Sequence, residues 1–591
     1  MQKLKDILMK MVAVLKKLPE RRLMMVLSVI VGLGCGLAAV LLRGSIHYIQ
    51  GLFAPLTASH NVLFLILPGV GMLLAMLFVR YVIRDDISHG VTKVLVAVSK
   101  NESKIKPHNM WSSVAASAVT IGFGGSVGAE APIVYTGAAI GSNVGRAFGL
   151  SYKDITLLLG CGAAGAVAGI FNAPLAGVLF TLEILLFNIS MSTILPLLLS
   201  TVSATVVSYI FHGRTIPFEC ALEPFMMRNL LFYLVLGVVC AFCSVYFTRM
   251  TLFVEDKIKS VTNPFVRWAV AAACLGLLIF LFPPLYGEGY TSLVELLNGA
   301  QAYDGASVFG FLSRNAWGVP VLFLLILLLK VFSMSFTNAG GGVGGTFGPT
   351  LVEGAFAGFI VARLINLVFA GSEVSVPEQN FVLVGMAGLM AGVMQAPMTA
   401  IFLIAEISGG YDLLLPLILC SAVSFGIART IEPYSIYAKR IAKRGELLTH
   451  DNDQAILTLL KTRDLIRDKY PRVNADATLG EIVKIIADSQ AQVFAVVGDD
   501  GIFQGLIEMD KVRKLMFRTD LYKTRRVFNI MEDPVARIDP EESMDSVMDK
   551  FEKTRAWRLP VVDGDGKYLG FISRSRLLAA YRDELKIISH D

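Results

Sequence analysis

Two stretches of this chain repeat one another inside apolar sequence, and that repeat constrains the fold more than any other feature. Gly162–Glu183 and Gly385–Glu406 match without a gap at an offset of 223 residues: GAAG with GMAG, then AG, then NAP with QAP, and a closing Glu. Ahead of each lies a glycine-rich break ending in proline, GGSVGAEAP at 124–132 and GGVGGTFGP at 341–349. The surrounding apolar runs are long enough to cross a bilayer and recur from about residue 23 to residue 428. Duplicated membrane halves, each interrupted by Gly and Pro at the same place, point to a transport site between them.

Composition agrees. The chain is 54% hydrophobic and 17% charged, with mean hydropathy +0.63, whereas soluble domains run at about a quarter charged. Charges return after the last apolar run, so a large membrane domain precedes an aqueous tail. Lys3, Lys5, Lys10, Lys16, Lys17, Arg21 and Arg22 crowd the N-terminus, which the positive-inside rule puts in the cytoplasm. Lys439–Arg444 argues the same side for the C-terminus. The apolar run after the N-terminus is too long for a cleavable signal peptide. The net charge of +6 sits in these flanks, so it reads as topology and not as nucleic-acid binding. Cys35, Cys161, Cys240, Cys243, Cys274 and Cys420 lie within apolar runs; no metal site is expected, and they read as small core residues.

The break at 124–132 carries one carboxylate, Glu130, between the runs Met110–Phe123 and Ile133–Gly145. An ionisable residue inside membrane sequence is expensive and marks function by default. A helix starting at Pro132 would aim its free N–H groups back at an anion. Glu130 then stands where the anion would stand, and a carboxylate competing with an anion for one site is a gate. His89 and Gly90 open a second candidate helix start within Asp85–Lys100. Pro174 restarts a helix that carries Glu183 nine residues on. No nucleophile–base pair or metal-ligand cluster suggests an enzyme.

At these residues the sequence resembles the CLC family of chloride channels and proton/chloride antiporters. GAEAP at 128–132 is similar to the family's GREGP, which makes Glu130 the external gating glutamate. GTFGP at 345–349 matches GxFxP, and implies anion binding by Gly345, Thr346 and the backbone N–H of Phe347. SIYAKRI at 435–441 resembles the segment carrying the central-site tyrosine: Tyr437, with Tyr434 as the second choice. SHGVTKVL at 88–95 aligns with GSGIPEVL, so His89, followed by Gly90, falls where the family has an anion-coordinating serine. An imidazole there could donate to an anion, or leave the contact to backbone N–H groups. FTLEI at 180–184 departs from FxxEE: Glu183 fills the first, mainly structural position, and Ile184 replaces the acid that hands over protons. An isoleucine cannot relay a proton, so this reading leans to uncoupled anion flux, with Glu183 a doubtful member of any proton path and a coupled antiporter as the alternative. Ala129 and Ala131 replace the arginine and glycine of GREGP, removing a cation beside the gate.

The tail reads as two similar α/β units, 473–516 and 536–578, each resembling a CBS domain. Such pairs often bind adenine nucleotides through a Ser/Thr and an Asp after the second strand. Ser573 survives, but Lys511 and Arg576 stand where the ribose-binding Asp belongs, and basic side chains cannot accept from ribose hydroxyls. A structural or dimer-stabilising module is expected; a nucleotide sensor with a vestigial pore is the rival of a different class.

The expected architecture is an all-α polytopic membrane domain of two inverted repeats followed by an α/β CBS pair. Its parts are a cytoplasmic basic segment at 1–22, a transport domain at 23–445, and a tail at 456–591 divided near 527/528. The expected partners are chloride or a similar anion, the lipid bilayer and a second copy of the chain, with no cofactor except an adenine nucleotide at the tail. The expected location is a bacterial inner membrane, with both termini cytoplasmic.

Overall fold

The computed structural model describes residues 15–59, 61–185, 191–213, 218, 222–298, 309, 311–312, 315–372, 374–443, 460–467 and 470–589. Residues 1–14 of the basic N-terminal segment, Arg444, and the start of the expected tail at 456–459 lie outside them. The chain forms two compact units, Met1–Leu448 and Thr449–Asp591.

The first unit is helical. Its first half holds α1 (Glu20–Ser59), α2 (Leu63–Leu77), α3 (Gly90–Lys100), α4 (Ser112–Gly122), α5 (Glu130–Phe148), α6 (Tyr152–Phe171), α7 (Pro174–Ile184) and α8 (Met191–His212). The second holds α9 (Leu230–Lys259), α10 (Pro264–Leu281), α11 (Tyr290–Leu297), α12 (Gly318–Ala339), α13 (Phe347–Val368), α14 (Glu378–Met394), α15 (Pro397–Ile407), α16 (Leu414–Ile431) and the short α17 (Ile436–Lys443). Among the described residues nine helices are long and apolar enough to cross a membrane.

The duplication in sequence is a duplication in packing. In the first half α1, α6 and α8 pack on one another, and α5 lies along α6; in the second α9, α14 and α16 do the same, and α13 lies along α14. Backbones touch at equivalent glycines. A Cβ on Gly162 would come within 1.9 Å of the Gly137 carbonyl oxygen, and one on Gly385 within 2.3 Å of that of Gly354. Without a hydrophobic drive between helices in lipid, this close approach is what small residues supply.

The halves also cap each other. Both Glu183 oxygens accept from the first turn of α15, from Met398 N (3.0 Å), Thr399 N (2.7 Å) and Thr399 Oγ1 (2.7 Å). Glu406 accepts from the first turn of α7, from Leu175 N (3.1 Å) and Ala176 N (2.9 Å). Each half thereby satisfies the orphan amides of the other's proline-started helix. Glu183 is thus engaged as a helix cap, while Ile184 next to it is a buried apolar side chain.

The second unit is α/β: α18 (Thr462–Leu465), β1 (Arg472–Val473), α19 (Leu479–Ala487), β2 (Val493–Val497), β3 (Phe503–Glu508), α20 (Met509–Arg513), α21 (Met544–Thr554), β4 (Arg558–Val562), β5 (Tyr568–Ser573) and α22 (Arg574–Ser589). Strand β1 runs parallel to β2, β2 pairs antiparallel with β3, and β4 pairs antiparallel with β5. Both hairpins bulge at the same place, Val496/Val497 and Val561/Val562. Their turns pair through Phe503 N to Gly566 O (2.9 Å) and Tyr568 N to Gly501 O (3.1 Å), which joins the two hairpins within this unit.

Candidate functional site

The two glycine-rich breaks meet each other. Gly128 N donates to Gly345 O (3.1 Å) and Gly345 N to Gly128 O (2.7 Å), a reciprocal antiparallel bridge between the halves. Two further bonds repeat the symmetry: Ser126 N to Thr337 Oγ1 (3.2 Å) and Val343 N to Thr120 Oγ1 (3.1 Å). The bridge sets the starts of α5 and α13 side by side. Helix α5 begins at Glu130, two residues before the expected Pro132, because proline is tolerated throughout a first turn whose N–H groups have no intrahelical partner.

Glu130 is buried and reaches across to the other half. Its Oε2 accepts from Gly348 N (3.2 Å), in the first turn of α13, and its Oε1 accepts from the Tyr290 hydroxyl (2.7 Å). The carboxylate therefore occupies a helix N-terminus, the position that favours an anion. Gly128 makes the room, since a Cβ there would fall 2.0 Å from Glu130 Oε2.

The other predicted residues gather around this point. Thr346 and Phe347 are buried at the start of α13, and the Phe347 ring packs against Phe171 (centroids 5.5 Å apart) and Phe180 (6.3 Å). Tyr437 is 3% exposed and Tyr434 55% exposed, which separates the two candidate tyrosines. The Tyr437 and Thr346 hydroxyls lie close enough to influence each other, yet neither has a hydrogen-bond partner of good geometry among the described residues. Two buried hydroxyls left in this state are costly, and a small anion would accept from both.

Gly90 packs the start of α3 onto α5, where a Cβ would meet the Ala131 carbonyl oxygen at 2.3 Å. His89 holds a left-handed backbone (φ 53°) just before it. Its imidazole is turned to a charged network: Nε2 lies 3.4 Å from Glu255 Oε2 and 3.3 Å from Lys259 Nζ, and Arg440 Nη2 donates to Glu255 Oε1 at 2.7 Å. Of the two expectations for His89, this arrangement favours the one in which the backbone faces the site.

Three residues here were not singled out from sequence: Tyr290, Glu288 and Lys330. Lys330 is fully buried in α12 and donates to Ser126 Oγ (2.9 Å) and Gly287 O (3.1 Å). A lysine inside the apolar run 319–331 was the available signal; Glu288 and Tyr290 sit in a polar turn that resembles any loop.

In the second unit the ribose positions are otherwise engaged. Ser573 Oγ accepts from Arg576 N (3.3 Å), Arg576 Nη2 donates to Asp464 O (3.2 Å), and Lys511 pairs with Glu532. Lys511 and Arg576 do not fit the ribose-binding role, since cationic side chains offer no acceptor for sugar hydroxyls.

The family model for the voltage-gated chloride channel matches residues 70–429, and that for the CBS domain matches 527–583. A ClcB-like protein of Ralstonia nicotianae is 26% identical over 437 residues, covering 72% of this chain and 97% of that protein. The H(+)/Cl(−) exchange transporter ClcA of Vibrio cholerae is 28% identical over 346 residues, 56% of this chain and 69% of that protein. The solved structure of a eukaryotic CLC transporter superposes with a TM-score of 0.60 at 16% identity, covering 94% of this chain and 97% of that one.

Proposed function

The chain belongs to the voltage-gated chloride channel family, whose members move anions across membranes, and on that premise we propose that it exchanges protons for chloride or a similar small anion. One observation carries the reading: Glu130 takes the Gly348 amide at the mouth of α13, so the carboxylate and an anion compete for the same donors. Protonation removes the charge that holds Glu130 there and frees the path. The Gly345 amide is spent on the Gly128 carbonyl, so the anion rests on the backbone amides of Thr346 and Phe347 and at the His89–Gly90 helix start, with the Thr346 and Tyr437 hydroxyls as donors. Weak, multi-site holding without a full counter-charge lets an anion leave as readily as it enters.

Residue 184 pulls the other way. Ile184 is apolar and buried, and taken alone it favours uncoupled flux. The exchange transporter among the relatives weighs more, because it is similar to this chain over 346 residues. The protein would act as a homodimer in a bacterial inner membrane with both termini cytoplasmic, and its tail as a structural module. Intact break motifs argue against a vestigial pore.

Purified protein in liposomes tests this by chloride efflux down a gradient with external pH recorded. Proton uptake should track efflux and vanish in Glu130→Gln while anion flux persists. Efflux with no proton movement in the wild type would leave the uncoupled reading standing.

A further inference from the structure

Beside Glu130 lies a second acid that the transport reading does not use. Glu288 Oε1 accepts the backbone amide of Ala129, the residue directly before the gate, at 3.0 Å. Two residues on, Tyr290 donates its hydroxyl to Glu130 itself at 2.7 Å. The turn Gly287–Tyr290 therefore grips the gate twice. Gly289 (φ 93°) reverses the backbone between the two grips, and a Cβ on it would stand 3.3 Å from Lys330 Nζ.

The charges facing Glu288 come from every side. Glu130 on α5 repels it, while Lys330 on α12 and Arg43 on α1 oppose that repulsion. Tyr290 lies in its own turn, and Glu353, buried on α13, acts on Lys330. Lys330 is pinned by Ser126 and Gly287, so its charge is fixed beside the turn. Ala129 brings no charge of its own. The charged and titratable groups around the gate turn are thus Glu288, Lys330 and Arg43.

We propose that Glu288 is a positioning residue of the gate and its electrostatic partner: it fixes the Ala129–Glu130 turn and sets the external pH at which Glu130 takes its proton. The inference rests on Glu130 being the gate. Two carboxylates close together in a buried site hold a proton more readily than one alone. The step itself is a single proton moving from water to a Glu130 carboxylate oxygen, with no other bond or electron changed.

The test is chloride efflux from liposomes over a series of external pH values, with full-length wild type, Glu288→Gln and Glu288→Asp. Glutamine keeps an acceptor for the Ala129 amide but carries no charge. The flux–pH midpoint of Glu288→Gln should move to lower pH by about one unit, since like-charge neighbours shift titration on that scale. A midpoint equal to wild type overturns the proposal, because the acceptor alone then suffices. If Glu288→Gln does not give monodisperse protein, Glu288→Asp decides: its retracted charge should move the midpoint the same way by less, and an unmoved midpoint overturns the proposal. Failure of the gate reading looks different, as Glu130→Gln would then keep the wild-type midpoint whatever Glu288 does.

Discussion

The two halves of the membrane domain are built alike and finish differently. Each brings a glycine-rich break to the same bridge, starts a helix there, and packs that helix along the next through a glycine–glycine contact. Yet where the first half places Glu130 at its helix start, the second places Phe347. The first supplies a charge that can be switched by a proton; the second supplies amides and an aromatic wall. The symmetric features hold the site together and the asymmetric ones give it a direction. A second carboxylate at 347 would compete with Glu130 for the same amides.

The equivalence of the halves can be broken at its tightest points. Gly162→Ala and Gly385→Ala each drive a Cβ into a carbonyl oxygen, at 1.9 and 2.3 Å. Backbone cannot give way as a flexible side chain can, so each should cost about 2–3 kcal/mol, the upper range for overpacking. Thermal unfolding of the two variants in detergent checks it. A large loss for one and none for the other would show that only one half depends on backbone contact.

The reciprocal caps give a smaller and sharper comparison. Glu183→Gln and Glu406→Gln keep one acceptor oxygen and remove the charge that favours a helix N-terminus. Each should lower stability by about 1 kcal/mol, with Glu183 the costlier because it also holds the Thr399 hydroxyl. Proton movement in Glu183→Gln should match wild type. Loss of coupling in a stably folded Glu183→Gln would return Glu183 to the proton path.

What sequence disclosed and what it hid follow from the same geometry. The repeat was legible because close backbone contact demands glycine, so Gly162 and Gly385 recur at the same place in the two matched stretches, each against a glycine of the preceding helix. Glu130 was legible because an isolated carboxylate in apolar sequence has few harmless explanations. The choice between Tyr437 and Tyr434 was not, since both stand in one short polar segment and only burial separates them. Glu288 and Tyr290 were hidden for another reason: they meet Ala129 and Glu130 from 159 and 160 residues away, and a distance of that kind leaves no local pattern. His89 was found as a departure, but its turn toward Glu255 depends on helix α9, which no local alignment reveals.

The tail repeats the lesson on a smaller scale. Its two hairpins share register and bulge, but the helices before them are capped differently. Both start on a hydroxyl cap, Thr478 and Ser543, but α19 closes a capping box with Glu481 inside the helix, while at α21 the acid is Glu542, just before the cap, which accepts from Lys550 Nζ (2.8 Å) and Asp539 N (3.1 Å). Partial burial works to raise the Glu542 carboxyl, but the bonds from Lys550, Ser546 and Asp539 outweigh it and hold the group below the usual carboxylate range. A depressed folded value means the stabilisation is complete above the ordinary value of about 4.3 and is lost as pH falls through the lower one. Lys550 also donates to Arg537 O (2.7 Å), so the network ties the strand entry to the helix. Glu542→Gln should therefore speed amide hydrogen exchange in β4 and β5 at pH 7 by an amount equivalent to at most about 1 kcal/mol, as for a partly exposed ion pair. The difference from wild type should shrink toward zero as pH drops below about 4. A difference that persists in acid would mean that Glu542 acts through its shape and neutral hydrogen bonds, and that the two caps of the tail, unlike the two ends of the membrane halves, are interchangeable in charge.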